Sequence, residues 1–303
     1  MNGFLNVNKP GGMTSAAVVG VLKRLTGERR IGHAGTLDPE AAGVLPIMMG
    51  RATRLFDYLV DKEKCYETVC AFGTATDTQD ATGRTVAEGT DYPDSGRIRA
   101  EILKLTGDIL QQPGMYSAVK VGGKRLYALA RKGETAEAPV RTVHVEKIEM
   151  LGEAPDHGMR LRVTCGRGTY IRSLCEDLGK LCGCPAHMRS LIRTRSGFFG
   201  IEDALTLDEA RLLAEQGKLE ERVIPMDAPI GHLMRMDAPD RMAKRVAAGA
   251  KLPLDEMGGE APDEEGVTRV YLKNEFWGIA VRRGQELVWR AQIPPQEDYD
   301  HHR

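Results

Sequence analysis

The 303-residue chain carries 42 Lys and Arg against 43 Asp and Glu, with 42% hydrophobic and 28% charged residues and a formal net charge of −1. That balance excludes a disordered or broadly polycationic chain, and the length suits about two domains. No apolar run reaches the roughly 18 residues of a membrane span, and MNGFLNVNKPGG lacks the basic and apolar regions of a signal peptide, so the cytoplasm is the expected compartment.

The segment GFLNVNKP is expected to form a strand ended by Pro10, Gly11 and Gly12. Thr14 or Ser15 can cap a helix whose Val18, Val19, Leu22 and Leu25 share one face, and Gly27 closes it. HAGTLDPEAAG (33–43) follows as a glycine-rich loop in which Pro39, Glu40, Ala41 and Ala42 can open a helix. YETVCAFG (66–73) predicts a strand, TATDTQDATG (74–83) a polar turn, and Ile98, Ile102 and Leu105 a helix after Pro93-Asp94-Ser95-Gly96. Residues 111–138 form a long loop with a short helix, YALARKG, and such loops in compact domains are usually functional.

The stretch 159–183 predicts a strand, a glycine turn and a helix from about Thr169, with Glu202 to Gly217 helical again. Pro225, Pro229 and Pro239 then interrupt the chain before a short helix, DRMAKRVAAG. An acidic loop (255–266) precedes three strands with turns at Asn274-Glu275 and Arg283-Gly284. Strands and helices mix without steady alternation, so the fold class is α+β.

Charge is distributed unevenly. Residues 160–196 hold eight basic side chains against Glu176 and Asp177, and residues 1–54 hold seven against three acids, while 55–112 is net acidic. The basic segments could converge on one face suited to a phosphate backbone, or simply be solvated surface charge. Six cysteines in a cytosolic chain are expected as free thiols. Cys182, Cys184, His187 and Cys175 lack paired C-x-x-C spacing, and no metal site is expected from them.

The motifs of nucleotide-driven, dinucleotide-dependent, zincin and α/β-hydrolase chemistry are missing. What remains is Asp38 in its glycine-rich loop. An Asp before Pro is a favoured helix cap, and a carboxylate held ionised by a helix end and a nearby cation is also what a nucleophile needs. The local pattern leaves both readings open.

GFLNVNKPGGMTS, GHAGTLDPEAAGVLPIMMGRATRL and DKEKCYE, followed by GTATDTQDATG, QQPGMYSAVKVGGKRLYALARKG and GRGTYIRSLCEDLG, resemble the TruB family of tRNA pseudouridine synthases over most of residues 3–200. One departure is Gly114, which stands where the family has a second proline after Pro113. The resemblance implies a mixed-sheet pseudouridine synthase catalytic domain over residues 1–230, with an RNA-clasping loop at about 111–138. A small β-rich, PUA-like RNA-binding module at 231–296 and a tail at 297–303 complete the chain.

The resemblance also implies the chemistry: isomerisation of uridine to pseudouridine in the T loop of tRNA, conventional position 55, on a flipped-out base. Asp38 inherits the catalytic role, by attack on C6 of the base or C1′ of the ribose, and Arg172 the role of its ion-pair partner. Tyr66 would lie against the base and help with the C5 proton. Tyr170 and Leu191 would shape the pocket, and His33 would sit near the gap left by the base. Lys9, Lys120 and Lys124 are expected to contact phosphates. No cofactor, metal, membrane or protein partner is implied, and a monomer is expected.

Two rival readings accompany this one. A non-catalytic RNA-binding protein or tRNA folding chaperone could use the same scaffold. An aspartate-nucleophile hydrolase would need a second acid, for which Asp77 and Asp80 are the candidates.

Overall fold

The computed structural model describes residues 1–59, 63–117, 119–130, 133–134 and 136–295. In chain order come β1 (Gly3–Lys9), α1 (Ser15–Thr26), β2 (Ile31–His33), β3 (Ala42–Met49), β4 (Lys64–Phe72), β5 (Thr74–Thr76) and β6 (Thr85–Glu88). Next are α2 (Ser95–Ile102), β7 (Gly107–Gln111), β8 (Lys120–Val121), β9 (Lys124–Arg125), α3 (Leu126–Ala130), β10 (Arg141–Ala154), β11 (Gly158–Cys165) and α4 (Ile171–Leu181). They are followed by β12 (Ala186–Ser196), β13 (Phe199–Gly200), α5 (Leu207–Glu215), β14 (Met234–Ala238) and α6 (Ala243–Ala247). The chain ends on β15 (Leu252–Pro253), β16 (Val267–Leu272), β17 (Glu275–Arg283) and β18 (Glu286–Gln292).

Helix α1 starts because Thr14 accepts a hydrogen bond from the Ala17 amide, and it stops at Gly27, whose φ of 66° suits a left-handed cap. Asp94 caps α2 in the same way, and a capping box of Thr206 and Glu209 opens α5 at Leu207, so residues 202–206 are not helical as expected. Helix α4 begins at Ile171, with Tyr170 as its N-cap. The turns of the last three strands fall at Lys273-Asn274, both with positive φ, and at Gly284. The tail lies outside the described residues, and α3 (Leu126–Ala130) stands at the start of the expected short helix.

The main sheet has nine strands, in the order β1-β3-β12-β4-β11-β10-β7, with β2 paired to β3 and β13 to β12. Its one parallel junction joins β3 to β12, where Gly43 faces Arg193. Leu5, Val7, Leu45 and Ile47 pack against α1 and α5, while Val145, Leu161, Val163 and Cys70 pack against α2 and α4. A second sheet, β14-β16-β17-β18-β15, forms the β-rich C-terminal domain. It is seated on the first through a shared apolar cluster in which Phe4, Val44 and Met48 meet Ile279, Ala291 and Ile293. Arg51 and Arg54 add bonds to the Pro294 and Gln292 carbonyls.

Helix formation at Asp38 is overturned. The Ala41 amide donates to the Asp38 carbonyl at 3.1 Å, closing a turn, and β3 follows at once. The chain there is claimed by the sheet, because Val44, Leu45, Ile47 and Met49 are all fully buried. Gly43 makes the junction possible: its φ is +102°, and a Cβ would stand 2.3 Å from the Arg193 carbonyl oxygen. Gly43→Ala should therefore cost about 2–5 kcal/mol in urea unfolding. Gly12→Ala, at φ +79° with open space around it, should cost about 1 kcal/mol. Equal costs would show that the close approach is not what matters.

Candidate active site

Asp38 leaves the turn between β2 and β3 with its side chain 42% exposed, while Arg172 on the first turn of α4 is 7% exposed. Arg172 Nε lies 3.0 Å from Asp38 Oδ2. The rest of the guanidinium is fixed from behind: Nη1 donates to the Thr78 carbonyl at 3.0 Å and Nη2 to the Tyr116 carbonyl at 2.8 Å. A cation held by the protein interior thus presents one edge to a carboxylate at an open face.

Asp80 stands 3.9 Å from Arg172 Nη1 through Oδ2, while its Oδ1 accepts from the Thr78 hydroxyl and from the Thr82 amide and hydroxyl. Asp77 accepts from the Arg84 amide and pairs with its guanidinium. Both acids therefore organise the 77–84 turn. Gln79 bridges this turn to α4 through Ser173 and Glu176. A Cβ on Gly114 would lie 2.7 Å from Gln79 Oε1, so the missing proline leaves room for that bridge.

Tyr66 is on β4, opposite Val163 and Arg193, and burial raises its phenol pKa. Tyr170 is half-buried and fixed through its backbone, which exchanges hydrogen bonds with the Gln111 side chain at 2.9 and 3.2 Å. The Arg141 guanidinium lies 5.9 Å from the centre of its ring. Leu191 is buried in the apolar cluster with Leu37, Ala41 and Val163, against which Tyr66 packs. His33 ends β2 with Nδ1 buried and without a hydrogen-bond partner among the described residues. Burial, then the Arg193 charge, lowers its pKa, so the ring is neutral near pH 7.

Lys9 is not at the surface. It is fully buried, and Nζ donates to the carbonyls of Pro10 (2.8 Å), Met13 (2.5 Å) and Pro39 (2.9 Å). All three ammonium protons are used inside, one of them beneath the Asp38 turn, which corrects the expected phosphate contact. Burial draws its pKa down to about 8, against the pull of Glu40 and Asp38. Lys9→Met should cost about 2–4 kcal/mol of stability by stranding carbonyls. The slope of RNA binding against salt should stay unchanged. A shallower slope with unchanged stability would restore the phosphate role.

The expected basic face is also reduced. Arg162 pairs with Glu67, Lys180 with Glu176, Arg189 with Asp156 and Arg195 with Glu63, while Arg193 is buried. Lys120 and Lys124 do stand exposed, on the β8–β9 hairpin above a small core of Leu126, Leu129 and Ala138. Arg193 escaped sequence reasoning, and Lys9 was expected at the surface, since buried cations look like any other basic residues.

Two family descriptions match in tandem: TruB family pseudouridylate synthase (N terminal domain) over residues 23–171, and tRNA pseudouridylate synthase B C-terminal domain over 172–230. A tRNA pseudouridine synthase B of Bacillus pumilus (strain SAFR-032) is 41% identical over 305 residues, covering 98% of this chain and 99% of its own. The chain belongs to the TruB family of pseudouridylate synthases. As such it is an isomerase.

A second relative in the TruB family, the tRNA pseudouridine synthase B of Geobacillus thermodenitrificans (strain NG80-2), is 43% identical over 261 residues, 84% of this chain and 86% of that one. Among solved structures, a Cbf5-Nop10-Gar1 complex contains a chain that matches with a TM-score of 0.76 and 26% identity, covering 98% of this chain and 86% of its own. The two TruB descriptions meet between residues 171 and 172, yet α4 and β12 belong to one folded body with β2, β3 and β4. The Asp38–Arg172 pair therefore joins the two matched segments.

Proposed function

We propose that this synthase converts uridine to pseudouridine in the T loop of tRNA, at conventional position 55, with Asp38 as nucleophile on an extruded base. The observation that carries this reading is the Asp38–Arg172 pair, a charged carboxylate at an open face held by a buried guanidinium. The relatives at 41% and 43% identity are tRNA pseudouridine synthases B, which supports tRNA as substrate.

Asp38 attacks C6 of the base or C1′ of the ribose, the C1′–N1 bond breaks, the base turns, and C1′–C5 forms. The product is an isomer, so the sum consumes no partner molecule. Tyr66 receives the extruded uracil, a stacking contact worth about 1–3 kcal/mol, and helps with the C5 proton. Tyr170 and Leu191 bound the pocket, and the neutral His33 ring fills the space the base vacates. Lys120 and Lys124 contact phosphates as the 111–138 segment closes over the T arm, whose shape is read more than its sequence. The enzyme acts as a monomer in the cytoplasm, where its buried free thiols stay reduced. The β-rich C-terminal domain adds RNA contacts in the manner of a PUA module.

The test is incubation with an unmodified tRNA transcript and mapping of pseudouridine. A single mark at the T-loop uridine is expected, and none on a transcript carrying cytidine there. Product confined to another position would overturn the assigned site, and no product on any tRNA would overturn the substrate.

A further inference from the structure

Arg193 has no part in the chemistry above, yet it is the bulkiest of the fully buried side chains, with 1% exposure. Its Nε donates to the Val44 carbonyl at 2.7 Å and its Nη2 to the Gly35 carbonyl at 3.1 Å, two of five available N–H donors. Among the described residues no carboxylate lies within ion-pair distance of it. A guanidinium taken out of water without a counter-ion is costly. A mere spacer at this position could be apolar.

Its place in the sheet suggests a use for the charge. Arg193 faces Gly43 on one side and Tyr66 on the other, and directly opposed residues project from the same face. Gly35, where φ is +107°, lies alongside it: a Cβ there would be in ordinary contact with Nη1, at 3.5 Å. The groups facing the Tyr66 phenol are Arg193 from β12, Cys165 from β11 and Asp38 from the β2–β3 turn. Burial, Cys165 and Asp38 push that phenol's pKa up, while Arg193 pulls it down. Burial pushes the Cys165 thiol up to about 11, so it stays neutral. Arg193 itself also neighbours His33 on β2 and Lys9 on β1.

We propose that Arg193 is a positioning residue of the isomerisation, whose guanidinium clamps both ends of the Asp38 turn and keeps a positive charge beside the Tyr66 phenol. The proposal rests on the roles of Asp38 and Tyr66 given above. After the C1′–C5 bond forms, C5 still carries hydrogen. The Tyr66 phenol relays that proton to solvent, the C–H electron pair returns to the uracil ring, and N1 takes a proton from solvent, so the sum remains an isomerisation. The cation offsets negative charge that builds on the phenol oxygen as its proton leaves, and the clamp keeps the carboxylate in line.

The experiment compares single-turnover rates against pH for wild type, Arg193→Gln, Arg193→Lys and Asp38→Asn, with RNA affinity and thermal unfolding measured alongside. Arg193→Gln removes the charge. Its rate near neutral pH should fall at least roughly tenfold, and the ascending limb should move to higher pH. Arg193→Lys keeps the charge but not the fork, so the limb should stay in place while the rate falls roughly tenfold at every pH. A folded Arg193→Gln with the wild-type profile would overturn the inference. If that variant does not fold, Arg193→Lys decides: a shifted limb or a wild-type rate overturns it. An inactive Asp38→Asn beside such a result leaves the proposed reaction standing, whereas an active one removes that reading instead.

Discussion

Asp38→Asn is expected to fold and bind tRNA like the wild type and to form no pseudouridine. The substitution is isosteric, and the side chain is 42% exposed, so solvent screens much of its ion pair with Arg172. The stability change should stay below about 1 kcal/mol. The amide, however, cannot attack C6 or C1′, and it no longer answers the Arg172 charge. Loss of a covalent nucleophile should lower the single-turnover rate at least roughly 10⁴-fold. Urea unfolding and a pseudouridine-release assay on one transcript measure both quantities. A variant within tenfold of the wild-type rate would remove Asp38 as the nucleophile.

Arg172→Met should damage both stability and rate, because the two sides of this guanidinium do different work. Its Nη1 and Nη2 close the carbonyls of Thr78 and Tyr116 within the fold. Stranding both should cost about 2–3 kcal/mol in unfolding. Its Nε orients Asp38 at 3.0 Å, and loss of that preorganised charge should lower the rate roughly 10²–10³-fold even where the variant is fully folded. Arg172→Lys should fall between, since an ammonium keeps the charge but cannot reach carboxylate and both carbonyls in one plane. Wild-type turnover in Arg172→Met would separate the pair from catalysis.

These outcomes depend on a site whose parts were unequally legible. Helices α1 and α2 were visible because one face is apolar and their caps, Thr14 and Asp94, are local features. The last three strands could be read from alternation and turn residues, although one turn fell a residue earlier, at Lys273-Asn274, where asparagine tolerates positive φ. Strand β3 was invisible as a strand: Val44 to Met49 is buried on both faces, so no alternation marks it, and Pro46 interrupts it. Strand β12, inside the sheet between β3 and β4, was missed because its inward Arg193 mimics the polar side of the pattern.

By itself the sequence determined the α+β class, the capped helices and the β-rich C-terminal strands, and its ordered family motifs singled out Asp38, Tyr66 and Arg172 as candidates. Tertiary structure alone decided that Asp38 lies in a turn before a strand rather than at the cap of a helix. It also decided that Lys9 and Arg193 are interior cations, and that Arg172, distant in the chain, meets Asp38 edge-on. The physical reason is that caps and turns are satisfied by neighbours within a few residues. Burial of a charge, by contrast, depends on which remote carbonyls and carboxylates the sheet brings to it.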